Sequence, residues 1–191
     1  MPRNHHTGGV ERSPVTLEEL ALLQQTLLFD DQDRAALRRS QALVAPRTDA
    51  ILDVWYGFVG ANAHLLAYFS NPRTGAPDPG YLAAVRERFA RWIVDTARAE
   101  YDQAWLDQQH ELGLRHHSTK KNRTDGVDAA PIVHMRYLSA LVIPVTLTLR
   151  PFLEAGGASR AEVDAMQHAW TKSVLLQTIL WSRPYVREGD F

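Results

Sequence analysis

The chain has 191 residues, of which 45% are hydrophobic and 23% charged, the usage of an ordinary soluble globular protein rather than a disordered or fibrous one. Lys and Arg number 21 against 22 Asp and Glu, a formal charge of -1, so no net positive charge is available to hold a nucleic-acid backbone or an anionic membrane. The absence of cysteine excludes disulfides, thiolate nucleophiles, iron–sulfur clusters and Cys-based zinc sites, leaving eight histidines and the carboxylates for any metal chemistry.

The first 14 residues are polar, carry His5 and His6, and lack the apolar run of a signal peptide; they read as a disordered tail ahead of one domain spanning 15–191. A cytoplasmic protein is expected. Thr16 and Glu19 have capping-box spacing, and Leu17, Leu20, Leu23, Leu27 and Leu28 then recur at helical intervals. A second helix follows from about Asp31 to Val44. Pro46 suits the start of a third, which runs through Ile51, Leu52, Trp55, Tyr56 and Val59 to Gly60. A short helix covers about 62–70, and the Pro/Gly-rich segment 71–80 reads as a loop.

The helix from about Tyr81 to Arg98 carries the apolar stripe Leu82, Val85, Phe89, Trp92, Ile93 and Thr96. The next, about Asp102 to His117, sets Trp105, Leu112 and His116 on one face. Ser118 to Asp128 reads as a polar loop. Pro131 is expected to open a long helix to Leu153, kinked at Pro144 and ended by Gly156-Gly157. The apolar-rich stretch within it, Leu138 to Leu149, is too short to span a bilayer. Ser159 with Glu162 is a second capping box, opening a last helix to Trp181. No segment reads as a strand, so the fold class is all-α.

Three groups stand out from this amphipathic background. Gly113-Leu114-Arg115-His116-His117 closes a helix, and neutral imidazole is a good ligand for iron, zinc or copper. Adjacent residues on a helix point about 100° apart, so one histidine faces inward and the other outward. His116 continues the apolar stripe and is the inward candidate. Gly113, one turn earlier, would leave space for a flat ligand. The plain alternative is a His116 that caps the helix C-terminus. The second group is Trp55-Tyr56, two large rings with one donor each, fitted either to core packing or to steadying a bound polar diatomic. In the third, Val85 and Phe89 form an apolar wall with Arg88 at its rim, where a guanidinium can meet a carboxylate; a solvated helix face is the ordinary reading of the same residues.

Together these stretches closely resemble the protoglobins, single-domain globins related to the haem domain of globin-coupled sensors. The resemblance runs collinearly from about Pro14 to Phe191, through 51–60, 81–93, 101–107, Gly113-Leu114-Arg115-His116-His117, Lys120-Lys121-Asn122 and Trp181-Ser182. It implies a globin fold with an extra helix before the usual first one, and haem b (iron protoporphyrin IX) as cofactor. It puts the iron ligand at His116, the gas-facing pair at Trp55 and Tyr56, and pocket walls at Val85, Phe89, Leu138, Leu141 and Val145. Leu141 stands where the family carries Phe, which implies a roomier pocket there. Arg88 is the first choice for the haem carboxylates, ahead of Arg115 and Lys121. Neither Val85 nor Phe89 can ligate iron, so the resemblance implies an open sixth position and reversible binding of oxygen, carbon monoxide and nitric oxide, in a binding or sensing role. The competing expectation is a haem enzyme using the same iron for nitric oxide dioxygenation, nitrite reduction or peroxidase-like chemistry with an external reductant. The resemblance also implies a homodimer, with the last two long helices paired into a four-helix bundle, and the surplus apolar residues Leu149, Phe152, Val174 and Leu175 on those helices can mark such a surface.

Overall fold

Helix starts follow the capping side chains. The computed structural model describes residues 10–191. Thr16 and Glu19 form a reciprocal box that opens α1, Leu17–Thr26, and Ser159 with Glu162 does the same for α9, Arg160–Trp181. A third box, Asp30 with Asp33, opens α2, Asp31–Val44. After a 3-10 turn holding Pro46 come α3, Thr48–Ala61, and the short α4, Ala63–Leu66, continued by a second 3-10 turn to Phe69. Asp78 caps α5, Pro79–Arg98, with proline in its first turn, so this helix begins two residues ahead of the expected Tyr81. Asp102 caps α6, Gln103–His116.

Two expectations fail in the next stretch. The segment read as a polar loop contains a short helix, α7, Lys121–Asp125, ended by Gly126 at φ 64°. Five residues are too few to show a period. The long helix does not open at Pro131; α8 spans Met135–Glu154. The reason lies in Val133, whose N–H donates to the His116 carbonyl at 2.9 Å and whose carbonyl accepts from the Tyr185 hydroxyl at 2.7 Å. Both backbone groups are spent on tie points around the end of α6. Pro144 and Pro151 both sit within α8. The carbonyls they orphan belong to Ala140 and Leu147, both exposed, so water can satisfy them.

No strand occurs among the described residues, only one isolated bridge between Ser70 and Pro77. Of the expected tail, residues 1–9, His5 and His6 included, lie outside the described residues. Ser13 is tied down, its N–H donating to Asp107 on α6 at 2.8 Å. Just beyond α1, Leu28 lies in the left-handed region (φ 52°), a strained conformation for leucine, and Lys172 holds its carbonyl at 2.7 Å.

α8 and α9 pack along each other, α2 lies across α9 and α5, and α6 packs on α9. Trp170 of α9 is fully buried at the centre, its indole N–H donating to Ser40. α1, the extra helix, buries Leu20 against Leu106, Leu176 and Leu180 and so braces α6 from behind. α8 has 20 residues and a most apolar window of mean hydropathy 1.2, long and apolar enough by length and composition to cross a membrane. The apolar-rich stretch Leu138 to Leu149, too short by itself to span a bilayer, lies inside this longer helix. Here its buried residues Leu138, Val142, Thr146, Leu149 and Leu153 form one stripe facing the core.

Candidate functional site

Helices α3, α5, α6, α8 and α9 surround one cavity. The pocket and ligand residues that the family resemblance implies all line it: Trp55, Tyr56, Val85, Arg88, Phe89, His116, Leu138, Leu141 and Val145. Trp55 is 7% exposed and meets the Phe89 ring edge-on at 5.8 Å. Leu141 and Val145 pack against the cluster formed by Trp55, Val59 and Leu65. These contacts make the wall contributed by α3, α5 and α8 apolar.

The last turn of α6 turns His116 toward the cavity. Its Nδ1 lies 2.8 Å from the Leu112 carbonyl. A carbonyl only accepts, so Nδ1 carries the proton and the Nε2 lone pair is left free. Burial, reinforced by the nearby Lys121 ammonium, pulls its pKa down to about 4, against the opposing hydrogen bond, so the ring is neutral at physiological pH. The indole of Trp181 stacks on it, with centroids 5.0 Å apart and planes inclined by 24°. A neutral imidazole, its tautomer and plane both fixed, is the usual preparation of a metal-binding histidine. His117 turns the other way, with Nδ1 2.7 Å from the Thr119 hydroxyl and its ring edge-on to Tyr185. One histidine inward and one outward is the expected arrangement.

Gly113 does not have the expected role. A Cβ placed there would sit 3.1 Å from the Trp181 Cα and 3.2 Å from its carbonyl oxygen. The missing side chain lets α6 and α9 approach closely; it does not clear space for a ligand. That close approach is what brings the Trp181 ring onto His116.

The cavity also holds polar groups without the partners such groups need. Tyr56 OH is buried with no hydrogen bond among the described residues, and burial pushes its pKa up to about 12. Lys121 is 2% exposed; its ammonium donates to the Tyr68 carbonyl at 2.9 Å and lies 3.5 Å from the Asn122 side-chain oxygen, both neutral acceptors. Burial lowers its pKa to about 8, partly offset by Asp125. The other cations at the rim are already committed. Arg88 makes a bidentate pair with Asp125 at 2.8 and 2.7 Å, and Arg115 pairs with Glu111, which also holds Lys120. Lys121 is therefore the buried cation best placed to meet an incoming carboxylate. Sequence reasoning ranked it below Arg88 because neither its burial nor the Arg88–Asp125 pair is visible in a linear pattern. Trp181 and Tyr68 also line the cavity, and periodicity did not single them out.

A large apolar cavity with a neutral imidazole, an unpartnered hydroxyl and a desolvated ammonium suits a flat, mostly apolar cofactor that has a metal at its centre and carboxylates at one edge. Among the described residues no cluster of three or more His, Asp or Glu is arranged to hold a bare metal ion.

Comparison with known proteins agrees. Among solved structures the chain is similar to the globin domain of the Geobacter sulfurreducens globin-coupled sensor, with a TM-score of 0.66 over 91% of this chain and 99% of that one. Identity is 14%, so this likeness speaks for the globin fold alone. No curated protein matches the chain significantly. The protoglobin family profile matches residues 16–191, which span α1 through the C-terminal 3-10 turn, so the chain belongs to the protoglobin family.

Proposed function

We propose that this chain holds haem b through His116 Nε2 and reversibly binds diatomic gases (oxygen, carbon monoxide and nitric oxide) at the iron, in a gas-binding or sensing role. The observation that carries this reading is the pairing, in one cavity, of a neutral Nδ1-protonated His116 with a buried Tyr56 hydroxyl that has no partner. When bound, haem supplies an iron with one position open to a small ligand.

The chain's own residues do the rest. The Leu112 carbonyl and the Trp181 ring orient His116 and hold its proton on the nitrogen remote from the iron. Tyr56 has a hydroxyl proton to donate to a polar diatomic. Val85, Phe89, Leu141 and Val145 exclude water, which strengthens that one bond. Lys121 meets a haem carboxylate and gains the anionic partner it otherwise lacks. The exposed stripe Ile143 and Leu147 on α8, 55% exposed each, with Leu175 on α9 at 38%, supports a homodimer through these helices.

The test is to load the protein with haem, reduce it and mix it with carbon monoxide, then with oxygen. Reversible complexes from a five-coordinate ferrous form are expected. A six-coordinate ferrous form that excludes both gases would contradict the reading. Stopped-flow mixing of the oxygen complex with nitric oxide and a reductant checks the enzymatic rival, which requires rapid multiple turnover.

A further inference from the structure

Three tyrosines line the cavity, and one of them is wired to solvent. Tyr56 has no hydrogen-bond partner and none is found for the Tyr81 hydroxyl among the described residues, whereas Tyr68 OH lies 2.6 Å from His134 Nδ1. Tyr68 is 9% exposed; His134, the residue before α8, is exposed. Two ties hold the pair. Lys121 donates to the Tyr68 carbonyl at 2.9 Å, and the Tyr137 ring sits edge-on to Tyr68 at 6.0 Å and to His134 at 6.5 Å. The half-buried tyrosines outside the cavity pair with groups that are poor bases: Tyr101 with the Ser173 hydroxyl and Tyr185 with the Val133 carbonyl. Tyr68 alone has its hydroxyl against an imidazole nitrogen, the one partner among these that can serve as a base.

That difference has a chemical consequence. A phenol that loses one electron becomes a strong acid, so it is oxidised readily only where the proton has somewhere to go in the same step. A base within about 2.6–3.2 Å meets that geometric requirement. His134 also faces water, so the charge it acquires is solvated rather than buried.

We propose that Tyr68 and His134 form a relay for one electron and one proton, passing reducing equivalents from phenolic reductants in solution to the cofactor in the cavity after hydrogen peroxide has oxidised it. In each transfer the Tyr68 O–H bond opens, its electron moves inward to the cofactor and its proton forms an N–H bond at His134 Nδ1. A phenol then returns the electron to the Tyr68 radical, His134 returns the proton, and the phenol's own proton passes to the solvent pool from which water is formed. Over two transfers one hydrogen peroxide and two phenols give two waters and two phenoxyl radicals. The relay rests on the haem reading above.

The experiment is rapid-freeze electron paramagnetic resonance of the haem-loaded ferric protein after one equivalent of hydrogen peroxide, with ring-deuterated tyrosine to identify the signal. Wild type and Tyr137→Phe are expected to give a tyrosyl radical. Tyr68→Phe is expected to lose it, and His134→Gln, which keeps an acceptor but not a base, to lose most of it. An undiminished tyrosyl signal in Tyr68→Phe, a tryptophan radical in its place, or no protein radical in wild type would overturn the relay. Absence of a Soret band from the loaded wild type would overturn the haem reading and the relay together; a normal band with an unaltered radical in Tyr68→Phe overturns the relay alone.

Discussion

In the proposed site, Tyr56 would serve ligand binding at the expense of the fold. A buried hydroxyl without a partner costs about 1–3 kcal/mol, so Tyr56→Phe is expected to raise the urea midpoint of the haem-free protein. In the haem-loaded protein the same change removes the donor to bound oxygen, and dissociation should speed by about tenfold, the equivalent of one hydrogen bond. A variant that is no more stable and holds oxygen equally well would show that the hydroxyl points elsewhere. Lys121 makes a parallel case through pH. Burial lowers its pKa from 10.5 to about 8, so between those values the unfolded chain binds more protons than the folded one and stability rises with pH. The buried tyrosines, raised from 10.0 to about 12, act in the opposite sense only above pH 10. Haem-free wild type should therefore gain stability from pH 8 to 10 and Lys121→Met should not; equal slopes in denaturant titrations would contradict this. Of these two residues, Tyr56 stood out in the sequence as part of a Trp-Tyr pair that fitted core packing equally well, and only the family resemblance set it beside the ligand. Lys121 was legible only as one cation among several, because a charge reveals its burial only after the chain has folded.

Between helices, the contact that matters most for the site is the crossing of α6 and α9 at Gly113. Replacing glycine by alanine inside a helix is worth up to about 1 kcal/mol in propensity. Here the added Cβ meets Trp181 backbone at 3.1 and 3.2 Å, atoms that cannot rotate away, and overpacking of that kind costs about 1–3 kcal/mol. The second effect wins, so Gly113→Ala should destabilise the protein by about 1 kcal/mol. It should also perturb the His116–Trp181 stack, seen as an altered carbon monoxide rebinding rate. A raised urea midpoint would show that the helices separate without cost. The sequence announced Gly113 as special but misled about why, since a missing side chain looks the same whether a ligand or a helix fills the gap. Helix starts were more readable. Thr16 with Glu19 and Ser159 with Glu162 declare themselves by local spacing and both boxes form. The start of α8 was not readable, because Val133 is held out of the helix by the His116 carbonyl and the Tyr185 hydroxyl, partners 17 and 52 residues away in the chain.

For the whole molecule, the all-α fold and the extra α1 were legible because amphipathic periods, caps and a collinear family pattern agree over nearly the entire chain. For the proposed association surface, the sequence did not distinguish exposed apolar residues from core ones. Leu149 and Val174, counted from the sequence as surplus, are core residues at 2% and 3% exposure, while Ile143 and Leu147 carry the exposed stripe. Both sets recur at helical intervals on α8 and α9, and only packing tells inside from outside. Wild type is expected to sediment as a dimer and the double variant Ile143→Glu, Leu147→Glu as a monomer that retains its haem; a monomeric wild type would contradict the proposed interface. Above all these stands the proposed bond between His116 and a haem iron, tested most directly by the ferrous absorption spectrum of haem-loaded His116→Gly with and without added imidazole. The variant is predicted to lose the five-coordinate histidine-ligated spectrum of wild type and to regain it with imidazole. A wild-type spectrum in the variant without imidazole would contradict the account.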